Sequence, residues 1–168
     1  MPATYEPIAT TTLAAQSANI YFNSIPSTYT DLRLVMVTTS SGSGNITRLA
    51  FNTDFGVGNF SNTYLNGDGT SATSGRASSQ GFIQCDGWVA GSSTTIPTLV
   101  TADIFSYAGS TFKTCLVTES NDQNGSGEAS RTVGLWQGTA AINSIRINRS
   151  AGFFSIGSTF TLYGIKNA

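Results

Sequence analysis

Apolar residues recur along this chain at every second position, and no window of ten or more residues carries the i, i+3, i+4, i+7 spacing of a helix face. Ile20 and Phe22 alternate with Tyr21 and Asn23. Leu32, Leu34 and Met36 share one face of a strand whose other face holds Arg33, Val35 and Val37. Apolar groups on both faces predict a central strand. Ile46 to Phe51 reads as the next strand, with Arg48 within it. The stretch from Asn52 to Ser79 is Gly-rich and its pattern loosens. A short strand at Phe60 to Leu65 and a loop through Thr70 to Arg76 are expected there, with Asn66-Gly67 and Asp68-Gly69 favouring positive-φ turns. Strands resume at Gly81 to Cys85, Thr98 to Tyr107 and Phe112 to Thr118, the last two joined by a turn at Ala108-Gly109-Ser110. Asn121 to Ser130 reads as a polar tip, and Arg131 to Gln137 as a strand holding Val133, Leu135 and Trp136. In Asn143 to Arg149, Ile145 and Ile147 point in while Ser144, Arg146 and Asn148 point out. Ser158 to Ile165 closes the series.

About nine to ten strands at spacings of roughly 8 to 15 residues predict an all-β fold, an antiparallel β-sandwich or jelly roll with almost no helix. A length of 168 residues suits one domain. Residues 14–168 form that domain, and residues 1–13 an N-terminal arm or edge strand. No internal repeat and no boundary interrupts it.

Composition narrows the class of function. Charged residues make up 10% of the chain, against about 25% in ordinary domains. Ser, Thr, Asn and Gly carry the polar share. Thr suits a pleated strand and can meet water or another polar surface at small desolvation cost. Such a surface fits a protein packed against other subunits, and equally a surface-exposed β domain. A net charge of −1, with eight Lys and Arg scattered singly, argues against nucleic-acid binding. No stretch approaches the ~18 continuous apolar residues of a membrane span. Met1 to Pro7 shows neither a basic nor an apolar signal region, so synthesis and folding in a cytoplasm are expected. Cys85 and Cys115 stand far apart, in neither a zinc nor a redox spacing. Two buried free thiols are expected, with a disulfide as the alternative.

Candidate chemistry is sparse. The absence of His excludes Ser–His–Asp triads, Cys–His pairs and His-ligated metals. The nine carboxylates are Glu6, Asp31, Asp54, Asp68, Asp86, Asp103, Glu119, Asp122 and Glu128. A pair of them could in principle hydrolyse a glycoside, which makes a polysaccharide depolymerase the enzyme alternative. The runs Asn66–Gly69 and Asp122–Gly125 lack the ligand series of a calcium loop and read as turns. Gly56-Val57-Gly58 precedes no helix, so it is no phosphate cradle. No metal or cofactor is expected, and no catalytic residue. Trp136 reads as core. Trp88, just past a strand, could equally be core or anchor an interface or a sugar.

Three blocks resemble a family of phage-encoded β-sandwich virion proteins, notably from viruses of aquatic bacteria. They are Ile20-Tyr21-Phe22-Asn23-Ser24-Ile25-Pro26-Ser27-Thr28-Tyr29-Thr30-Asp31-Leu32, then Gly138-Thr139-Ala140-Ala141-Ile142-Asn143-Ser144-Ile145, and the ending Phe153 with Gly157-Ser158-Thr159-Phe160-Thr161-Leu162-Tyr163-Gly164-Ile165. The resemblance implies a virion component and no catalytic residues. It points to a capsid cement or decoration protein on the outer surface of a phage head, made in the bacterial cytoplasm. Its partners would be the major capsid protein and itself, as a homotrimer. The alternative is a receptor- or glycan-binding domain of a tail appendage, the one reading that brings in a glycan. Read from their own chemistry, the same residues keep the fold: Pro26 ends a strand, and Thr28 and Asp31 fix a turn.

Interface candidates follow from the first 13 residues. Tyr5, Ile8 and Leu13 are the large apolar groups of a segment otherwise made of Pro, Thr and small residues. That is too few for a core strand and too many for a solvated tail. Part of the segment is expected to pack on a neighbouring subunit by strand addition. Trp88 is the fourth candidate.

Overall fold

A computed structural model of the chain describes residues 4–41, 46–56, 58–85 and 93–166. These residues form an all-β sandwich of antiparallel strands, with no helix among them. In chain order the strands are β1 (Thr4–Thr12), β2 (Asn19–Phe22), β3 (Asp31–Thr38), β4 (Ser40–Ser41), β5 (Thr47–Phe51), β6 (Phe60–Gly67) and β7 (Ala72–Gln80). They continue as β8 (Ile83–Gln84), β9 (Thr98–Ile104), β10 (Lys113–Asp122), β11 (Gly127–Trp136), β12 (Ile145–Arg149), β13 (Phe153–Phe154) and β14 (Thr159–Lys166). The count exceeds the sequence expectation because β1, β4, β7 and β13 add to it, β4 and β13 being only two residues long.

The two layers are unequal. One sheet has eight strands in the order β1-β14-β3-β9-β10-β11-β6-β7; the other has four, β2-β12-β5-β8. Period-2 alternation decides what lies between them. Leu32, Leu34 and Met36 of β3, Ala102 and Ile104 of β9, and Phe160 and Leu162 of β14 point inward from the large sheet and are buried. Leu49, Phe51, Ile83, Ile145 and Ile147 meet them from the small sheet. Trp136 is core as expected: its ring centroid lies 5.7 Å from Phe51 and 6.4 Å from Phe60. Gly134 lets the sheets close, since a Cβ there would come within 2.6 Å of the Ile83 side chain. Cys85 and Cys115 are free and buried.

One end of the sandwich is tied by Tyr107, which is fully buried. Its hydroxyl donates to the Pro26 carbonyl and accepts from the Tyr29 backbone N–H at 3.3 Å. Its own carbonyl accepts from the Ile142 N–H at 2.9 Å. Tyr29 in turn lies over Gly164, where a Cβ would meet the ring at 2.3 Å. Asp31 Oδ1 accepts from the Ser106 N–H at 2.6 Å. Lys113 is fully buried beneath the same turn and donates to the Gly109 carbonyl at 2.7 Å. The three blocks quoted above therefore meet here, in the fold-keeping role their chemistry suggests.

Several expectations change. The loop expected through Thr70 to Arg76 is strand β7, an edge strand that needs no large apolar residue because it pairs with β6 along its length. The polar tip shrinks to the turn at 123–126, as β10 and β11 run on to Asp122 and from Gly127. Asn148 is buried rather than outward, its Nδ2 donating to the Arg149 carbonyl at 3.0 Å. β3 is interior in strand order, between β14 and β9, but its second face is not covered by another layer: Val37 is 41% exposed.

Tyr107→Phe removes the hydroxyl that pairs the Pro26 carbonyl and the Tyr29 N–H. A loss of about 1–3 kcal/mol in unfolding free energy is expected, measured by urea denaturation. A change inside about 0.5 kcal/mol, the range of neutral surface substitutions, would show that water replaces both bonds.

Candidate functional site

Several titratable groups are held in structural bonds. Asp54 Oδ2 accepts from the Trp136 indole at 2.8 Å and from Asn59 Nδ2 at 2.9 Å. Asp103 pairs with Arg33 at 3.5 Å. Glu119 Oε2 accepts from the Ser130 hydroxyl at 2.9 Å within the sheet. Burial, and then the nearby charge of Asp103, pushes the Cys115 thiol far above its ordinary range. Among the described residues, no three His, Cys, Asp or Glu side chains come together as metal ligands would.

What the large sheet does present is an open outer face. Its register aligns cross-strand rows. Val37 of β3 stands beside Leu99 of β9, then Ser120 of β10, Ala129 of β11 and Gly67 of β6. Val35, Thr101, Thr118, Arg131 and Leu65 form the next row. Arg33, Asp103, Leu116, Val133 and Thr63 form the third. Val37, Leu65, Leu99 and Val133 are between 41% and 57% exposed. Thr side chains fill much of the rest, tied in places to one another, as Thr10 to Thr161 at 3.1 Å. The Arg33–Asp103 pair sits near the middle, with Arg33 also donating to the Tyr5 hydroxyl at 3.4 Å. The face is broad and rich in Thr, Val and Leu, with Arg33, Asp103 and Arg131 among its charged residues. Exposed Val and Leu side chains on such a face suit a surface that another molecule covers.

A second feature is a groove at the sheet's far end, about 600 Å³, between the β6–β7 turn and the β10–β11 turn. Asp68, Thr70, Asn121, Asp122, Ser126 and Glu128 are on its walls, and among the described residues no aromatic ring lines it. Asp68 builds one wall. Its Oδ1 accepts from the backbone N–H groups of Ser71 at 2.7 Å and Thr70 at 2.8 Å, and its Oδ2 from the Ser71 hydroxyl at 3.1 Å. These bonds, the Ser71 N–H first, hold its carboxyl well below the ordinary carboxylate range. The turn reading of this run thus accounts for its ligand-like oxygens.

The four sequence candidates are not brought together. Tyr5 is exposed on the outer face, edge-on to Tyr163 with ring centroids 6.4 Å apart. Ile8 packs against the core from a point where the pairing of β1 with β14 slips between Pro7 and Ala9. Leu13 is buried, and its N–H and carbonyl bond to Ser158 and Gly157. The segment adds its strand to this chain's own sheet, so Ile8 and Leu13 serve the fold and Tyr5 alone faces outward. Trp88 lies outside the described residues. The sequence pattern does not mark the outer face as open, because Val35 and Val37 fit equally a strand covered on both sides.

No protein-family model, no curated protein and no solved structure matches this chain.

The Asp68 turn gives a pH-dependent test. Its carboxyl titrates lower when folded than the ordinary value near 4. The stabilisation is therefore full above about pH 4 and declines as pH falls below it. Asp68→Ala should melt below the wild-type protein at neutral pH, with a gap that narrows under acid conditions below about pH 4. A gap constant across that range would separate the turn's stability from the charge.

Proposed function

We propose that this chain is a structural, non-catalytic component of a bacteriophage particle, a decoration protein that binds the outer surface of the head and stabilises the shell. The observation that carries the reading is the outer face of the eight-stranded sheet. Eight strands at about 4.8 Å, seven to ten residues long, span an area of roughly 900–1,300 Å². That exceeds the ~800 Å² per partner of a stable protein interface. Low charge suits the role. The Val, Leu and Thr side chains of the face are desolvated at small cost, while the Arg33–Asp103 pair and the exposed Arg131 would need partners across the interface. The three blocks that resemble phage virion proteins support the same reading. On it, the partners are the major capsid protein and further copies of this chain.

The mechanism is thermodynamic. A protein that binds only the expanded, assembled lattice stabilises that state by mass action. The alternative, a receptor-binding domain of a tail appendage, draws support from the polar groove beside Asp68 and Glu128. Sugar sites commonly add an aromatic platform, and none lines the groove among the described residues.

The test is cosedimentation with expanded heads of the phage that encodes the chain. The wild-type protein should pellet with heads and raise their melting temperature. Leu99→Lys with Val133→Lys places two charges on the open face without touching the core. This variant should keep its own melting temperature yet bind heads at least tenfold more weakly, a difference of about 1.4 kcal/mol. Equal binding by both proteins, or no binding by the wild-type chain, would overturn the reading.

A further inference from the structure

The two edges of the large sheet are built differently. β1 carries Pro7, which has no N–H to offer, and its pairing slips between Pro7 and Ala9. An ion pair between Glu6 and Lys166 at 3.1 Å guards the same edge. Such features keep an edge strand from recruiting another chain. β7, at the opposite edge, has neither the Pro nor the ion pair. It runs nine residues, Ala-Thr-Ser-Gly-Arg-Ala-Ser-Ser-Gln, with no Pro, no Lys and no carboxylate. Its one irregularity lies at the C-terminal end, opposite Phe60 and Asn62. The side of its backbone away from β6 meets no other strand among the described residues. A row of backbone donors and acceptors is left on offer there.

We propose that β7 is a homotypic pairing edge, at which the β7 strands of two copies align antiparallel about a two-fold axis at Gly75 and join the two sheets into one. The occupant follows from the strand's own sequence. An axis at Gly75 sets Ala72 opposite Ser78, Thr73 opposite Ala77 and Ser74 opposite Arg76. Every pair but one is small against small, so neither face obstructs the approach. The strand's single charge meets a hydroxyl. Moving the axis to Arg76 would set two guanidinium groups directly opposite each other, which is unfavourable. The stretch 72–78, free of the irregularity, has Gly75 at its centre. Gly75 is also where the sheet makes room: the Tyr64 ring lies over it, and a Cβ there would meet the phenol oxygen at 2.5 Å. Two copies would bring two Tyr64 rings over the paired glycines on the core side of the junction, covering the joint.

The pairing does not depend on where in a virion the chain sits. It predicts two-fold units, in place of the trimer expected from the family resemblance. Ser74 and Arg76 are both exposed on the outer face, so substitution at Ser74 probes the register without disturbing the fold. The experiment is sedimentation equilibrium of the full chain at concentrations up to about 1 mM. The wild-type protein should show a monomer–dimer equilibrium. Ser74→Glu puts a carboxylate opposite Arg76 twice per dimer and should tighten the dimer by about two- to thirty-fold. Ser74→Lys should weaken it over a similar range. A wild-type chain that stays monomeric, or that forms trimers, overturns the proposal. So do Ser74→Glu and Ser74→Lys variants that shift the equilibrium equally or not at all. Failure to bind heads with the dimer intact would instead count against the head reading alone.

Discussion

The buried hydroxyl of Tyr107 organises this fold more than any other single group. It satisfies the carbonyl of Pro26 and the N–H of Tyr29, two backbone groups at a corner where no sheet ladder can reach them. Once that corner is fixed, Tyr29 covers Gly164 of β14, and the Thr30 N–H reaches the Ile165 carbonyl at 2.8 Å. The Tyr107 carbonyl holds Ile142 at the entry to β12. Segments far apart in sequence are thus locked where β3, β9, β12 and β14 begin or end. Buried polar networks of this kind specify one arrangement because each broken bond leaves a desolvated group behind. Lys113 works the same way below the turn, its ammonium held by backbone carbonyls, while burial pushes its proton affinity down.

The unequal sheets follow from the placement of apolar residues. The small sheet can cover only part of an eight-stranded layer, so the large sheet keeps one face open to its surroundings. A monomer would be expected to fill that face with Lys and Glu. This chain carries Thr, Val and Leu over much of it, with the Arg33–Asp103 pair, Arg131 and Arg76 among them. The make-up of the face is a property of the surface. It is legible only once the register is known.

Where period-2 apolar alternation exists, the sequence is a faithful guide. Leu32, Leu34, Met36, Ile145 and Ile147 all point where the alternation places them. It fails where both faces of a strand are polar. β7 has no large side chain, and the outer halves of β10 and β11 alternate polar with polar, burying Glu119, Asn121, Glu128 and Ser130 while exposing Ser120 and Ala129. These strands owe their existence to the ladder beside them, which no local pattern announces. The N-terminal segment illustrates the same limit: Thr4 pairs with Lys166, at the other end of the chain. The open face had a signal in the Val and Leu residues of β3 and β9, but whether both sides of a strand are covered depends on the second layer, not on the strand.

The two ends of the sandwich therefore differ in kind. At the Tyr107 end, buried polar groups are paired and glycines are covered by rings. Toward the β6–β7 and β10–β11 turns, the inner face becomes polar, with Asn66, Glu119, Asn121, Glu128, Ser130 and Thr132 buried where an apolar layer would otherwise sit. Asn66 Oδ1 and Asn121 Oδ1 have no hydrogen-bond partner there. Each such oxygen costs part of its lost hydration. Local stability within one domain follows this kind of difference, and segments that open or rearrange come from the weaker end. The groove belongs to that end, while β7 runs from it, at Ala72, to Gln80 opposite Phe60. The strongly tied corner holds the fold, and the groove lies where the interior has the least to lose by adjusting.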